Sequence, residues 1–253
     1  MRPIPLALCA LVFSPRTPPP DPSVKPKNGQ ELIAQMRQRY QGKWYRTLTF
    51  TQKTTLPNGK GETWYEALQL PGKLRIDIAP LDSMNTILFR NDSVYQFEHG
   101  ALKSSKALVH PLMLLGFDVY EAPVEQTIRK LSDLNFDLSK LHQREWQGRK
   151  TYVVGAAPGD TVSPQFWIDA ERLYFVRSFE PSKQNPGLVN ETRFEKYVPL
   201  AGGWVETEVH FLSDGKQRAK EEYSDLKANG QLNPSIFDPE VWVAPGWVRG
   251  PGS

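Results

Sequence analysis

The stretch Lys73-Leu74-Arg75-Ile76-Asp77-Ile78 places a charge at every odd position and an aliphatic side chain at every even one. A period of two belongs to a β-strand, whose successive side chains point to opposite faces, so this is a strand with one apolar and one charged face. The same period extends upstream. Trp64, Leu68 and Leu70 share one side of residues 62–70, and Trp44, Arg46, Leu48 and Phe50 alternate with Tyr45, Thr47, Thr49 and Thr51. Pro71-Gly72 turns the chain between the first two segments, and Pro57-Asn58-Gly59 does so earlier, because Asn-Gly accepts positive φ. Downstream, residues 87–90 and 94–98 join through Asn91-Asp92-Ser93. Sequential hairpins of this kind predict an antiparallel meander.

Helical spacing flanks the meander. Asn28 with Glu31 forms a capping box, Leu32, Ile33, Met36 and Tyr40 make one helical face, and Gly42 supplies a left-handed stop. Residues 108–120 break the strand pattern, since Pro111 precedes Leu112-Met113-Leu114-Leu115-Gly116-Phe117, a short helix apolar on every side that needs cover on several faces. A second helical pattern runs from Val124 to about Leu141, with Asn135 and Asp137 as interruptions. Strands return at 150–156, 165–169, 173–179, 190–199 and 204–212, and Asp214-Gly215 turns into a charged last strand over 217–226. Roughly ten strands with helices in two places predict one large curved antiparallel sheet, because a sheet of this size twists and must curl or be covered.

The ends read differently. Arg2 followed by the apolar run from Ile4 to Phe13 is too short for a bilayer crossing of about 20 residues and reads as a signal peptide over 1–14. Cys9, the only cysteine, sits in an imperfect lipobox, so a lipid-anchored form is the alternative to a soluble periplasmic one. Residues 15–27 are a Pro-rich tether, the folded domain covers 28–240, and 241–253 form a tail.

Composition and motifs exclude several functions. With 31 basic against 28 acidic residues the net charge is +3, and no basic stripe marks a nucleic-acid partner. His99, His110, His142 and His210 lie in separate segments, and there is no glycine-rich phosphate loop or nucleophile elbow. The sequence therefore predicts no catalytic residue, no metal site and no cofactor. The best remaining constellation is Glu206, Glu208 and His210, read as one solvated strand face opposite Val205, Thr207, Val209 and Phe211. Trp64, Trp167 and Trp204 offer either core packing or platforms for a sugar. Arg75 alternates with Ile76 and is expected to face outward.

The order of segments resembles the outer-membrane lipoprotein-sorting family, the LolA-like periplasmic carriers. The likeness runs through Phe50-Thr51-Gln52-Lys53, then Leu70-Pro71-Gly72-Lys73-Leu74-Arg75-Ile76-Asp77, and the aromatic strand segment Ile87 to Phe97. It continues in Pro111-Leu112-Met113-Leu114, where the family begins a lid helix, in Phe166-Trp167-Ile168-Asp169, and in the ending Asn229 to Phe237. The resemblance implies a curved, incomplete barrel closed by helices around an apolar interior. It further implies lipid or lipoprotein acyl chains as ligand and a membrane donor or acceptor as partner.

Alternation supplies the candidate ligand-binding set: Leu48, Phe50, Leu68, Leu74, Ile76, Ile78, Phe166 and Phe175, with Leu112, Met113, Leu115 and Phe117 as lid. The same residues would equally make a filled core, and alternation does not choose between the two. A sensor or protein-interaction module on the same fold is the competing function.

Overall fold

In a computed structural model, residues 24–248 are described; the expected signal peptide and most of the tether lie outside them. The first helix, α1 (Gly29–Tyr40), begins where the Asn28 side chain accepts the Glu31 backbone N–H at 2.9 Å. Glu31 does not complete the box; its carboxylate accepts from the Lys27 backbone instead. Leu32, Ile33, Met36 and Tyr40 are buried, as the spacing predicts. Trp44, just beyond, stacks on Tyr120 at 3.7 Å and meets Tyr40 edge-on, which packs the end of the helix against residues 118–120.

The strands β1 (Thr47–Thr55), β2 (Gly61–Gln69), β3 (Lys73–Ile78), β4 (Asn85–Arg90), β5 (Ser93–Glu98) and β6 (Ala101–Ala107) form the predicted antiparallel meander. Next come α2 (Pro111–Gly116), a single 3-10 turn at Asp118–Tyr120, and α3 (Val124–Asp133). The remaining strands are β7 (Leu141–Trp146), β8 (Arg149–Val154), β9 (Gln165–Asp169), β10 (Phe175–Pro181), β11 (Val189–Glu195), β12 (Val198–Leu200), β13 (Gly203–Val205), β14 (Glu208–Ser213) and β15 (Lys216–Ala228). Thirteen strands make one sheet in the order β6-β5-β4-β3-β2-β1-β15-β14-β11-β10-β9-β8-β7, and β12 pairs with β13 alone. The long charged β15 joins the two halves by pairing with β1 on one side and β14 on the other.

Two expectations are corrected. The helical spacing assigned to 124–141 ends at Asp133, Asn135 takes a left-handed φ of 66°, and the chain re-emerges as strand β7. The strand number rises because β6 and β7 both edge the sheet: one face or both stay in solvent, so neither carries the apolar alternation that reveals a half-buried strand. β6 is exposed along its whole length and carries Lys103 and Lys106, charges that protect an open edge from pairing with another chain.

The concave face packs on the helices, and the main core runs from Leu32 and Met36 through Leu48 and Tyr120 to Phe166, Phe175 and Val209. The convex face of β2–β5 forms a second core with the C-terminal segment, where Ala67, Leu88 and Phe97 meet Ile236 and Phe237. Arg75 does face away from Ile76, yet it is only 2% exposed, because residues 236–247 cross over it. Its guanidinium holds Asp77 through two bonds of 2.9 and 2.8 Å, donates to the carbonyls of Ile236 and Val243, and lies against the rings of Trp242 and Trp247. Thr86 donates to the same Asp77, and Trp242 donates to Thr86. Arg75 and Asp77 of the charged face therefore form a buried, hydrogen-bonded network, and the described part of the expected tail is its cover.

Removing one member of a buried pair strands the other charge, so Arg75→Ala is expected to cost about 3–5 kcal/mol in urea unfolding. Arg75→Met combined with Asp77→Leu is expected to recover most of that loss.

Candidate functional site

A cavity of about 270 Å³ lies on the concave face where β1–β4 meet β11, β14 and β15, under α2. Its walls follow from register. Leu74 and Ile76 of β3 sit opposite Phe89 and Ile87 of β4, while Leu68 and Glu66 of β2 sit opposite Leu48 and Phe50 of β1, so one alternation phase runs across the sheet. Phe50, Leu68, Leu74 and Ile76 of the sequence-derived set line the cavity, and Leu112, Met113 and Phe117 close it from above. The others are placed elsewhere. Leu48 is buried under α1, and Ile78 is half-buried at the strand end. Phe166 packs edge-on against Phe136 at 5.4 Å and Phe175 against Phe194 at 4.8 Å, in the half of the sheet that α1 and α3 fill. Leu115 points into that core and is fully buried. Alternation gave the face correctly but not how far along it the helices reach.

Helix α2 is tethered at its far end. Asp118 accepts the Gly72 backbone N–H at 2.8 Å, tying the end of the α2 region to the β2–β3 turn, and burial raises its carboxyl to about 6. Gly116 rests on Phe194 so closely that a Cβ would stand 2.9 Å from the ring. At the near end His110 meets Phe89 edge-on, and burial lowers its imidazole to about 4, leaving it neutral. Beyond Pro111 a groove edged by Ser182, Lys183 and Arg218 shares His110, Leu112 and Phe211 with the cavity and forms its mouth.

Polar groups interrupt the apolar walls. Glu66, Gln52, Glu221 and Tyr223 all line the cavity. Tyr223 donates to Glu221 at 2.8 Å and Gln52 to Thr54 at 2.8 Å, whereas Glu66 Oε1 is buried without a partner. Burial, reinforced by Glu221 and Glu206, pushes Glu66 well above the carboxylate range; burial alone brings Glu221 to about 7 against the pull of Tyr223 and Gln52. The sequence pattern hid these residues because each occupies an inward strand position normally filled by an apolar one.

Glu206 corrects the reading of Glu206, Glu208 and His210 as one solvated face. The chain between β13 and β14 is irregular, and it turns Glu206 inward to 1% exposure among Tyr45, Tyr120 and Tyr197, where burial raises it to about 8. Glu208 and His210 stay on the convex side. Glu195, Glu208 and His210 bring one ligand atom each within 4.8 Å, but Glu208 is already held by Lys196, Lys220 and His210, which lower its carboxyl to about 2. The candidate sugar platforms are also resolved. Trp167 is 1% exposed between Arg144 and Arg177, Trp204 lies beneath Arg172, and Trp64 faces the cavity.

A curved antiparallel sheet, open between its edge strands and roofed by helices, recurs in solved structures. A putative outer membrane lipoprotein-sorting protein domain from Vibrio parahaemolyticus aligns with TM-score 0.56 and 16% identity over 84% of this chain and 97% of its own. The fold is LolA-like. A LolA superfamily protein from Nitrosomonas europaea aligns at 0.52 and 14% over 83% of this chain and 97% of its own, and a DUF1329 family protein from Desulfovibrio piger at 0.53 and 14% over 83% and 95%. No family model matches the sequence, and no curated protein resembles it in sequence. Among the described residues no helix is long and apolar enough to cross a membrane.

The buried carboxyls make stability depend on pH. Glu206 stands at about 8 against an ordinary 4.5, so the folded protein holds a proton that the unfolded chain has lost. Its contribution is complete below about pH 4.5 and disappears as pH rises through the folded value, with a slope of about 1.4 kcal/mol per pH unit. Glu206→Gln, neutral throughout, is expected to flatten the fall in urea midpoint above pH 5 and to gain most at pH 8.

Proposed function

We propose that this chain is an exported, periplasmic, non-enzymatic binding protein that holds acyl chains of lipids or lipoproteins in the cavity under α2, receiving them from one membrane partner and yielding them to another. The observation that carries this reading is the cavity itself: a partly open space on the concave face whose walls are mainly aliphatic and aromatic, with a few polar groups among them, in a LolA-like fold. The lipoprotein-sorting description of the Vibrio relative supports the same choice of ligand.

The energetics suit the role. Each methylene moved out of water contributes about 0.8 kcal/mol, so an acyl chain needs an extended apolar surface, which residues from seven strands and one helix provide together. The cavity volume sits just under the usual range of about 300–1,000 Å³ for ligand sites, so a long chain requires α2 to yield. With the cavity empty, Leu112, Met113 and Phe117 plug it; a bound chain takes over part of that contact. Asp118 and Gly116 hold the far end, so motion belongs to the end near Pro111 and the mouth.

Two variants separate lid from core. Leu112→Ala is expected to keep the melting temperature nearly unchanged while shifting the affinity or release rate of a fluorescent fatty acyl probe several-fold. Leu115→Ala, which opens a void in the filled core, is expected to cost about 2–5 kcal/mol with little effect on probe affinity. Mass spectrometry of gently purified protein is expected to find co-purifying lipid; a ligand-free chain that also fails to bind the probe overturns the reading.

A further inference from the structure

The cavity floor does not match a purely hydrocarbon ligand. Glu66 is 4% exposed, points into the cavity, and leaves Oε1 with no hydrogen-bond partner. Glu221 lines the same floor, from β15 across β1, and no lysine or arginine stands among the lining residues. A buried carboxyl without a partner costs stability, and a second one beside it adds repulsion. The floor thus concentrates acceptors where a simple acyl pocket would have none. Aromatic rings frame it: Phe50 and Tyr223 lie 4.7 Å apart, and Trp64 is the cross-strand partner of Gln52. Glu66 and Glu221 stand opposite Phe50 and Thr54 of β1 and face the same cavity; two carboxyls within one aromatic frame are the chemistry that recognises an alkylammonium, through charge-assisted hydrogen bonds and cation–π attraction.

We propose that the floor of this cavity binds the primary ammonium group of a long-chain amine or amino-lipid, with Glu66 and Glu221 as its acceptors and the apolar walls around its chain. This rests on the reading of the cavity as an acyl site and adds the polar end of the ligand. An ammonium offers three donors, which Glu66 Oε1, Glu221 and the Gln52 carbonyl oxygen can share. A carboxylate finds no cation among the residues lining the cavity, so a fatty acid is directed to lie with its carboxylate at the mouth, where Lys183 and Arg218 stand beside Glu180 and Glu191.

The proton balance gives a second signature. The groups facing Glu66 are Glu221 and Tyr223 on β15, Gln52 on β1, Glu206 before β14 and the neutral His110 before α2; among them only the carboxyls can supply a proton near neutrality. In the empty site burial keeps Glu66 protonated. An incoming ammonium keeps its three protons; Glu66 loses its own to solvent as it becomes an anionic partner, and Glu221, at about 7, releases only the fraction of a proton it still holds at neutral pH.

Isothermal titration of the full chain with dodecylamine, dodecanol and dodecanoate at neutral pH, in two buffers of different ionisation enthalpy, tests the inference. Dodecylamine is expected to bind at least about tenfold more tightly than dodecanoate, with proton release that dodecanol does not show. Glu66→Gln is expected to reduce the release to the part Glu221 supplies and to weaken the preference several-fold while retaining dodecanol binding; Glu221→Gln, at a carboxyl already bonded to Tyr223, serves as the second variant if Glu66→Gln does not fold. If dodecanol and dodecanoate bind while dodecylamine shows no preference, the ammonium site is wrong and the acyl cavity stands. If none of the three binds, both readings fall.

Discussion

A sheet of thirteen strands has two large faces, and each must be either covered or made polar. Everything else in this protein follows from how that requirement is met. The concave face is too long for the helices available: α1 and α3 fill the half under β8–β10 with Phe136, Phe166 and Tyr120, and only the single short helix α2 is left for the half formed by β1–β4, β14 and β15. A short helix cannot fill a curved surface of that extent, and the space that remains is the cavity. Its position is thus set by a shortage of covering structure and not by any one residue.

The convex face meets the same requirement by other means. Long arginine side chains lie over Trp167, and the C-terminal segment is drawn across β2–β5 by the Arg75 network. Arg75 has five donors in a fixed plane, and Asp77 with the two carbonyls gives them acceptors while the indoles of Trp242 and Trp247 cover the flat faces. Burying this pair is tolerable only because its polar atoms are so fully engaged. Convex cover and concave cavity therefore stand back to back on β3, where Arg75 and Ile76 are consecutive residues with opposite tasks.

The interior carboxyls are the exception to this economy. Asp77 and Glu208 are matched by basic groups, but Glu66, Glu206 and Glu221 sit among aromatic rings; burial holds the first two largely protonated near neutrality and brings Glu221 to about 7. Three aliphatic residues at those positions would make a more stable protein. Glu66 and Glu221 line the cavity under α2, which ties those two to what that space holds, whereas Glu206 lies outside it among Tyr45, Tyr120 and Tyr197.

The sequence by itself determined the elements and the face each one buries. Lys73 to Ile78, the Asn58-Gly59 and Asp214-Gly215 turns, and the Leu32-Ile33-Met36-Tyr40 stripe are local signals, because side-chain period and turn chemistry depend only on near neighbours. From them the antiparallel sheet, its α+β character and the LolA-like order of segments could be read. Strands β6 and β7 escaped because a solvated strand has no apolar period, although the His99-Gly100 and Gln147-Gly148 turns, both with positive φ at two successive residues, marked their hairpins. What lies over each face is not a local property. Only the tertiary structure decided that Phe166 and Phe175 belong to filled core while Phe50 and Ile76 border open space, that Arg75 is buried beneath a segment some 160 residues further along, and that Glu206 turns inward where the strand is interrupted. Those outcomes depend on how far each helix reaches over the curved sheet and on where the C-terminal chain is laid, and contacts between residues so distant in sequence leave no periodic trace in it.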